Sequence, residues 1–203
     1  MDIKKRIIKQ ATSFFKAYGV RSITMDDIAK ELAMSKKTIY QYFKDKNSIV
    51  VECVKKNILE EEDEMCSIQS EVEDTMEKMF KISEHIRALL RNINPALMYD
   101  LQKYHPEAWK LHQQHMFDKT KGYLINILNQ GITDGYFRSD IDVEVLATMR
   151  IYQVEMGFNT AIFPTSKFEI SKLQIQLFEH FLYGICTEKG YEKIRQHKSK
   201  LIV

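Results

Sequence analysis

A chain of 203 residues, 44% hydrophobic and 29% charged, is long enough for one sizeable globular domain or two small ones and too apolar to be disordered. Seven glycines, three prolines and few alternating Val/Thr runs set β architectures aside, and the long stretches of Lys, Glu, Leu, Ile and Met point to an all-α protein. The net charge of +2 is unevenly placed: residues 1–50 carry 9 Lys and 2 Arg against 4 Asp and 1 Glu, an excess of +6, which leaves −4 for residues 51–203. A basic head on a mildly acidic body calls for an anionic partner at one end, with double-stranded DNA ahead of a membrane surface because no Trp lies near the basic helices.

Ile3, Ile7, Ala11, Phe14 and Tyr18 recur at helical spacing and predict a first helix over residues 3–18, with Gly19 as its C-cap. Thr24, with Asp27 three residues on, offers an N-cap for a second helix whose apolar face is Ile28, Ala29 and Leu32. Ala33 and Met34 make a turn, Ser35 caps again, and Ile39 and Phe43 repeat the apolar spacing. The pattern is a helix-turn-helix whose second helix turns Lys36, Lys37, Thr38, Tyr40, Gln41 and Tyr42 outward. Such side chains reach phosphates and base edges, Thr38 and Gln41 being the base-edge candidates. Thr24, Ser35 and Lys46 complete the DNA-binding set, Lys46 standing at the start of a fourth helix whose free amides suit a phosphate oxygen.

In this order, Ile28-Ala29, Ala33 to Ser35, Ile39-Tyr40, Tyr42-Phe43 and Lys46, the first 50 or so residues resemble the TetR/AcrR-type transcriptional regulators. Beyond them only the helical architecture is similar. The resemblance implies a homodimer that pairs through its two C-terminal helices, and a small-molecule effector bound in the C-terminal domain. One departure stands out: the family usually carries Gly where this chain has Ala33, and a left-handed turn there strains any residue with a side chain.

The fourth helix is expected to carry Ile49, Val50, Cys53, Val54, Ile58 and Leu59 before the acidic run Glu60 to Glu64, a solvated face that bounds the DNA surface. Four further patterns follow, over about 70–93, 106–134, from Asp142 to Pro164, and 171–188 with Gly190 as cap, plus a short segment 96–103 and a basic tail from Lys193 to Lys200. The whole is an N-terminal three-helix helix-turn-helix domain, residues 1–47, and a C-terminal antiparallel helical bundle, residues 48–203, with about nine helices in all. Ile151, Phe178, Phe181, Leu182 and Ile185 make the last two faces wider than one domain needs, and a second copy is expected to cover them in a two-fold four-helix interface.

Met and aromatic residues crowd the middle helices, and most must be core. Phe80, Trp109, His112, Met116, Tyr123, Tyr152 and Met156 are the candidates for an apolar-walled effector cavity, with His85, Gln113, Asn126, Arg150, Gln153 and Glu155 as polar anchors. Catalysis is rejected: His85, His105, His112, His115 and Asp118 are too sparsely spaced for a metal or a general base, and no Ser or Cys occupies a nucleophile turn. No cofactor is expected.

Cys53, Cys66 and Cys186 are odd in number and form no CxxC, which fits reduced thiols. The N-terminus lacks the apolar core of a signal peptide and no run approaches a membrane span, so the expected location is the cytoplasm, without a membrane partner. The sequence thus reads as a DNA-binding regulator, a dimeric repressor relieved by a ligand on a near-palindromic operator. The competing reading is a helical interaction protein whose basic head binds an acidic protein or membrane surface.

Overall fold

Good helix formers between well-placed caps give eleven α-helices and one π-helical turn in the computed structural model, which describes residues 2–91 and 93–200, the side chains of 198–200 excepted. They are α1 (Ile3–Tyr18), α2 (Met25–Glu31), α3 (Lys36–Tyr40), α4 (Lys46–Glu71), α5 (Thr75–Leu90), α6 (Ala96–Tyr104), α7 (Pro106–His115), the π turn (Met116–Thr120), α8 (Lys121–Thr133), α9 (Val143–Met156), α10 (Ile170–Ile185) and α11 (Glu188–Lys200). The fold is all-α. The β pairing among the described residues is one isolated antiparallel bridge, Phe137 with Cys186.

The chain packs as two units, Met1–Asp63 with Arg91–His115, and Glu64–Leu90 with Met116–Val203. This partition gives the head more of the chain than the boundary at residue 47 expected from sequence. The cause is burial: Ile49, Val50 and Cys53 of α4, Leu97 and Leu101 of α6 and Ala108 of α7 join Ile7, Phe15, Ile28, Ile39 and Phe43 in one core. Each buried Val, Leu, Ile or Phe side chain among them contributes about 1.5–3 kcal/mol. Polar bonds fix α6 there as well. Asp100 Oδ2 accepts from the Arg21 amide at 2.9 Å, and the Asn94 amide donates to the Lys16 carbonyl at 2.6 Å. Gly19, at φ 81, permits the approach, since a Cβ there would lie 3.1 Å from Asp100 Oδ2.

In the second unit Met76, Phe80, Leu128, Phe137, Ala147, Phe181, Leu182 and Ile185 form the core of α5, α8, α9, α10 and α11. Several boundaries differ from the sequence reading. The fourth helix runs on through the acidic face to Glu71, because glutamates are good helix formers and Met65 and Ile68 still supply a buried stripe. The pattern over 70–93 is therefore divided, and Asp74 caps α5 by accepting from the Met76 and Glu77 amides. The pattern over 106–134 is split by the π turn. The next helix ends at Met156 rather than near Pro164.

The last long helix ends at Ile185, where the Arg138 amide binds the Ile185 carbonyl and the Thr187 amide binds the Tyr136 carbonyl. Gly190 does not cap it but lies within α11, where a Cβ would meet the Tyr136 carbonyl oxygen at 2.5 Å. The expected basic tail is thus largely helical; the side chains of Lys198 and Lys200 lie outside the described residues.

Candidate nucleic-acid interface

Both caps of the helix-turn-helix form as their residue types dictate. Thr24 Oγ1 accepts from the Asp27 amide at 3.1 Å while Asp27 Oδ2 accepts from the Thr24 amide at 2.8 Å, a reciprocal capping box. The Thr24 hydroxyl donates to the same carboxylate at 2.6 Å, and this bond holds the Asp27 carboxyl below its usual range. Ser35 Oγ accepts from the Thr38 amide at 3.0 Å. Between the helices Ala33 adopts φ 51, the left-handed conformation in which the resembling family usually places Gly, rather than a differently bent turn. It is fixed by the Met34 amide on the Ala29 carbonyl and the Ala33 amide on the Lys30 carbonyl.

Ile39 and Phe43 are buried, which aims the opposite side of α3 at solvent. Thr24, Ser35, Lys36, Lys37, Tyr40, Gln41 and Tyr42 are exposed there, and Thr38 and Lys46 are half-buried. The structure therefore gathers Ser35 to Tyr42 on one surface, with Thr24 and Lys46 at the starts of α2 and α4. α3 is short, however, ending at Tyr40, so Gln41 and Tyr42 project from the turn after it.

The electrostatics are more modulated than a row of lysines suggests. Lys36 pairs with Asp26 at 2.8 Å, and the hydrogen bond to that carboxylate raises its pKa. Burial lowers the pKa of Lys46, with Asp100 and Asp27 opposing the shift. Lys4 is drawn to Glu52 at 3.1 Å and lies 5.8 Å from the Phe43 ring. Asp26 and Asp100, which temper and position this surface, were missed in the sequence because their partners come from separate elements.

The other predicted positions are distributed differently. Ile151, Phe178, Phe181, Leu182 and Ile185 are buried in the chain's own core, so they cannot offer a surface to a second copy. The outward face of α9 is instead Val145, Met149, Tyr152 and Met156, all exposed and spaced along one stripe; Leu173, Leu177 and His180 follow one side of α10. Of the seven effector candidates, Trp109 and His112 belong to the first unit and Phe80, Met116, Tyr123, Tyr152 and Met156 to the second. Tyr152 and Met156 lie on the outer stripe. Cys53 and Cys186 are buried, which pushes their thiols up to about 11 and about 12, while Cys66 is exposed.

A capped helix-turn-helix, held on a buried three-helix core and presenting a basic, aromatic second helix, defines a helix-turn-helix DNA-binding protein. Residues 7–53 match the family described as bacterial regulatory proteins, tetR family. The uncharacterized HTH-type transcriptional regulator YvaF of Bacillus subtilis is 31% identical over 106 residues, which cover 52% of this chain and 55% of that protein. The fatty acid metabolism regulator protein of the same species is 26% identical over 184 residues, 89% of this chain and 94% of that one.

Two solved structures share the fold. A transcriptional regulator from Saccharomonospora viridis in complex with choline has a TM-score of 0.73 at 19% identity, covering 91% of this chain and 98% of that one. The FadR regulator of Bacillus subtilis in complex with stearoyl-CoA has a TM-score of 0.67 at 23% identity, covering 89% and 98%. Residues 7–53 thus match the tetR-family domain, the relatives that match more of the chain are transcriptional regulators, and the reading as a binder of acidic proteins or membranes is not favoured. No helix among the described residues is long and apolar enough to cross a membrane.

Proposed function

We propose that the protein is a homodimeric repressor that occupies a near-palindromic operator and releases it when a small molecule binds the body of the chain. Residues 1–47 are the DNA-binding domain in this reading, and residues 48–203 serve dimerisation and effector binding. Lys46 and Thr24 hold the phosphate backbone with Ser35 beside them, Lys36 and Lys37 meet phosphate or guanine, Tyr40 and Tyr42 meet phosphate or a thymine methyl, and Thr38 and Gln41 read base edges. The observation that carries the reading is the surface of α3, a buried apolar side under an exposed basic and aromatic one.

The stripe Val145, Met149, Tyr152 and Met156 supports self-association, because an apolar row left open on a long helix suits a two-fold pairing of helices. Dimerisation would set two α3 helices about 34–36 Å apart, one turn of DNA. The relatives' ligands, a choline cation and an acyl-CoA, differ in charge and leave the effector class open. A cytoplasmic location goes with access to the genome. The test is sedimentation of the protein with and without DNA from its own upstream region: two copies per site support the proposal, and one copy per site contradicts it.

A further inference from the structure

Two exposed cations of the first unit have aromatic rings as partners. Arg21, in the turn between α1 and α2, places its guanidinium carbon 5.4 Å from the centre of the Tyr104 ring and donates from Nη1 to the Tyr104 hydroxyl at 3.4 Å. Lys103, on α6, places Nζ 5.1 Å from the centre of the Tyr99 ring and 5.5 Å from that of Tyr104, and donates to the Tyr99 hydroxyl at 2.6 Å. The two rings meet edge to face with centres 6.4 Å apart, and both are exposed, Tyr99 by 51% and Tyr104 by 39%.

Neither cation forms an ion pair with a carboxylate among the described residues. Asp100, the acidic residue of α6, is buried and accepts from the Arg21 amide, which ties the turn to the helix. A ring leaves a cation its full charge, and Arg21 and Lys103 each keep N–H donors to spare. It also holds a long side chain in place, so less freedom is lost when an anion binds.

The ridge adjoins the helix-turn-helix surface. Thr24 is three residues beyond Arg21. Burial lowers the Lys46 pKa while Asp100 and Asp27 oppose the shift, and burial followed by Lys46 lowers that of His105, the residue after Tyr104. The starts of α2 and α4 and the end of α6 therefore converge at Lys46.

We propose that Arg21, Lys103 and Tyr104 form a second phosphate-binding ridge, which takes the DNA backbone just outside the segment read by α3. The ridge rests on the DNA-binding reading above and extends its surface beyond residues 1–47 onto α6. The two cations meet phosphate oxygens, and the Tyr104 hydroxyl, which accepts from Arg21, donates to the same strand. Phosphates carry no sequence information, so the ridge adds affinity and fixes orientation without choosing bases.

The test is fluorescence anisotropy of the full chain on a duplex that it selects from a random-sequence pool. The duplex is made in two lengths, trimmed to the selected segment or extended on each side by about five base pairs, half a helical turn. The wild type should bind the extended duplex at least about threefold more tightly. The double variant Arg21→Ala, Lys103→Ala should lose that gain and lower the salt slope on the extended duplex by about 2, with its preference over a scrambled duplex unchanged. Should the double variant fail to fold, Lys103→Gln alone carries the comparison, with a slope lowered by about 1. A gain retained by the variant, no gain in the wild type, or a loss that is equal on trimmed and extended duplexes overturns the ridge while leaving DNA reading by α3 intact. Selection of no duplex, or binding that Lys37→Ala leaves unchanged as well, overturns the DNA-binding reading and the ridge with it.

Discussion

Replacing Ala33 by Gly should stabilise the protein. Ala33 is the non-glycine residue held at positive φ among the described residues, at φ 51, and its side chain is exposed, so no packing is lost on removing the methyl. The left-handed conformation costs an L-residue roughly 1–2 kcal/mol. Glycine recovers this but gives up about 0.4–1 kcal/mol through the greater freedom of its unfolded chain. The balance is a gain of about 0.5–1 kcal/mol, or about 1–4 °C in Tm for a chain of this length. Urea unfolding followed by far-UV circular dichroism measures it, with Ala33→Val as a counterpart that should lose about 1 kcal/mol, the branched Cβ being worse tolerated at this φ. A Gly variant less stable than wild type by more than about 0.5 kcal/mol would refute the strained turn.

Three further outcomes follow from the geometry. Lys36→Ala should lower the salt slope of DNA binding by about 1 if the lysine meets a phosphate, whereas Asp26→Asn, which frees Lys36, should tighten binding; anisotropy over a salt series reads both, and an unchanged slope removes Lys36 from the interface. Met149→Glu puts a charge into the open stripe of α9 and should shift the protein from dimer to monomer in sedimentation; an unaltered dimer would place the interface elsewhere. Burial holds the His112 imidazole below its usual range, with Glu61 opposing and His115 adding to the shift. Because the folded value is the lower one, the unfolded chain takes up the proton first. Stability is therefore full above about pH 6.5 and falls as the pH drops below it. Denaturation at about pH 7.5 and about pH 5.5 should show a smaller decline for His112→Gln, and an equal decline would exclude His112 as a source.

The head was legible because its signals are local. Caps three residues from their acceptors and apolar pairs one turn apart fixed α2 and α3, whereas the Ala33 conformation was suggested only by the glycine that the resembling family carries there. Where the reading failed, non-local packing decided. Gly190, read as a cap, is a helical glycine whose missing side chain makes room for the Tyr136 carbonyl, a contact between distant parts of the chain. An apolar residue on a helix does not say which neighbour it faces. Phe178 and Phe181 were assigned outward and lie inward, whereas α9 is apolar on both sides, with Ala147 and Ile151 in the core and Val145 and Met149 at the surface. Asp26 and Asp100 act across elements, and spacing along the chain carries no trace of such pairs.

The most direct test of the account is equilibrium binding of the full chain to DNA from the region flanking its own gene, against a scrambled duplex, over a range of salt concentrations. A near-palindromic segment should be retained at least about a thousandfold more tightly than the scramble, with a steep salt dependence, and Tyr42→Ala or Lys37→Ala should weaken it. Equal affinity for all duplexes, or retention insensitive to salt and to these substitutions, would contradict DNA reading by α3.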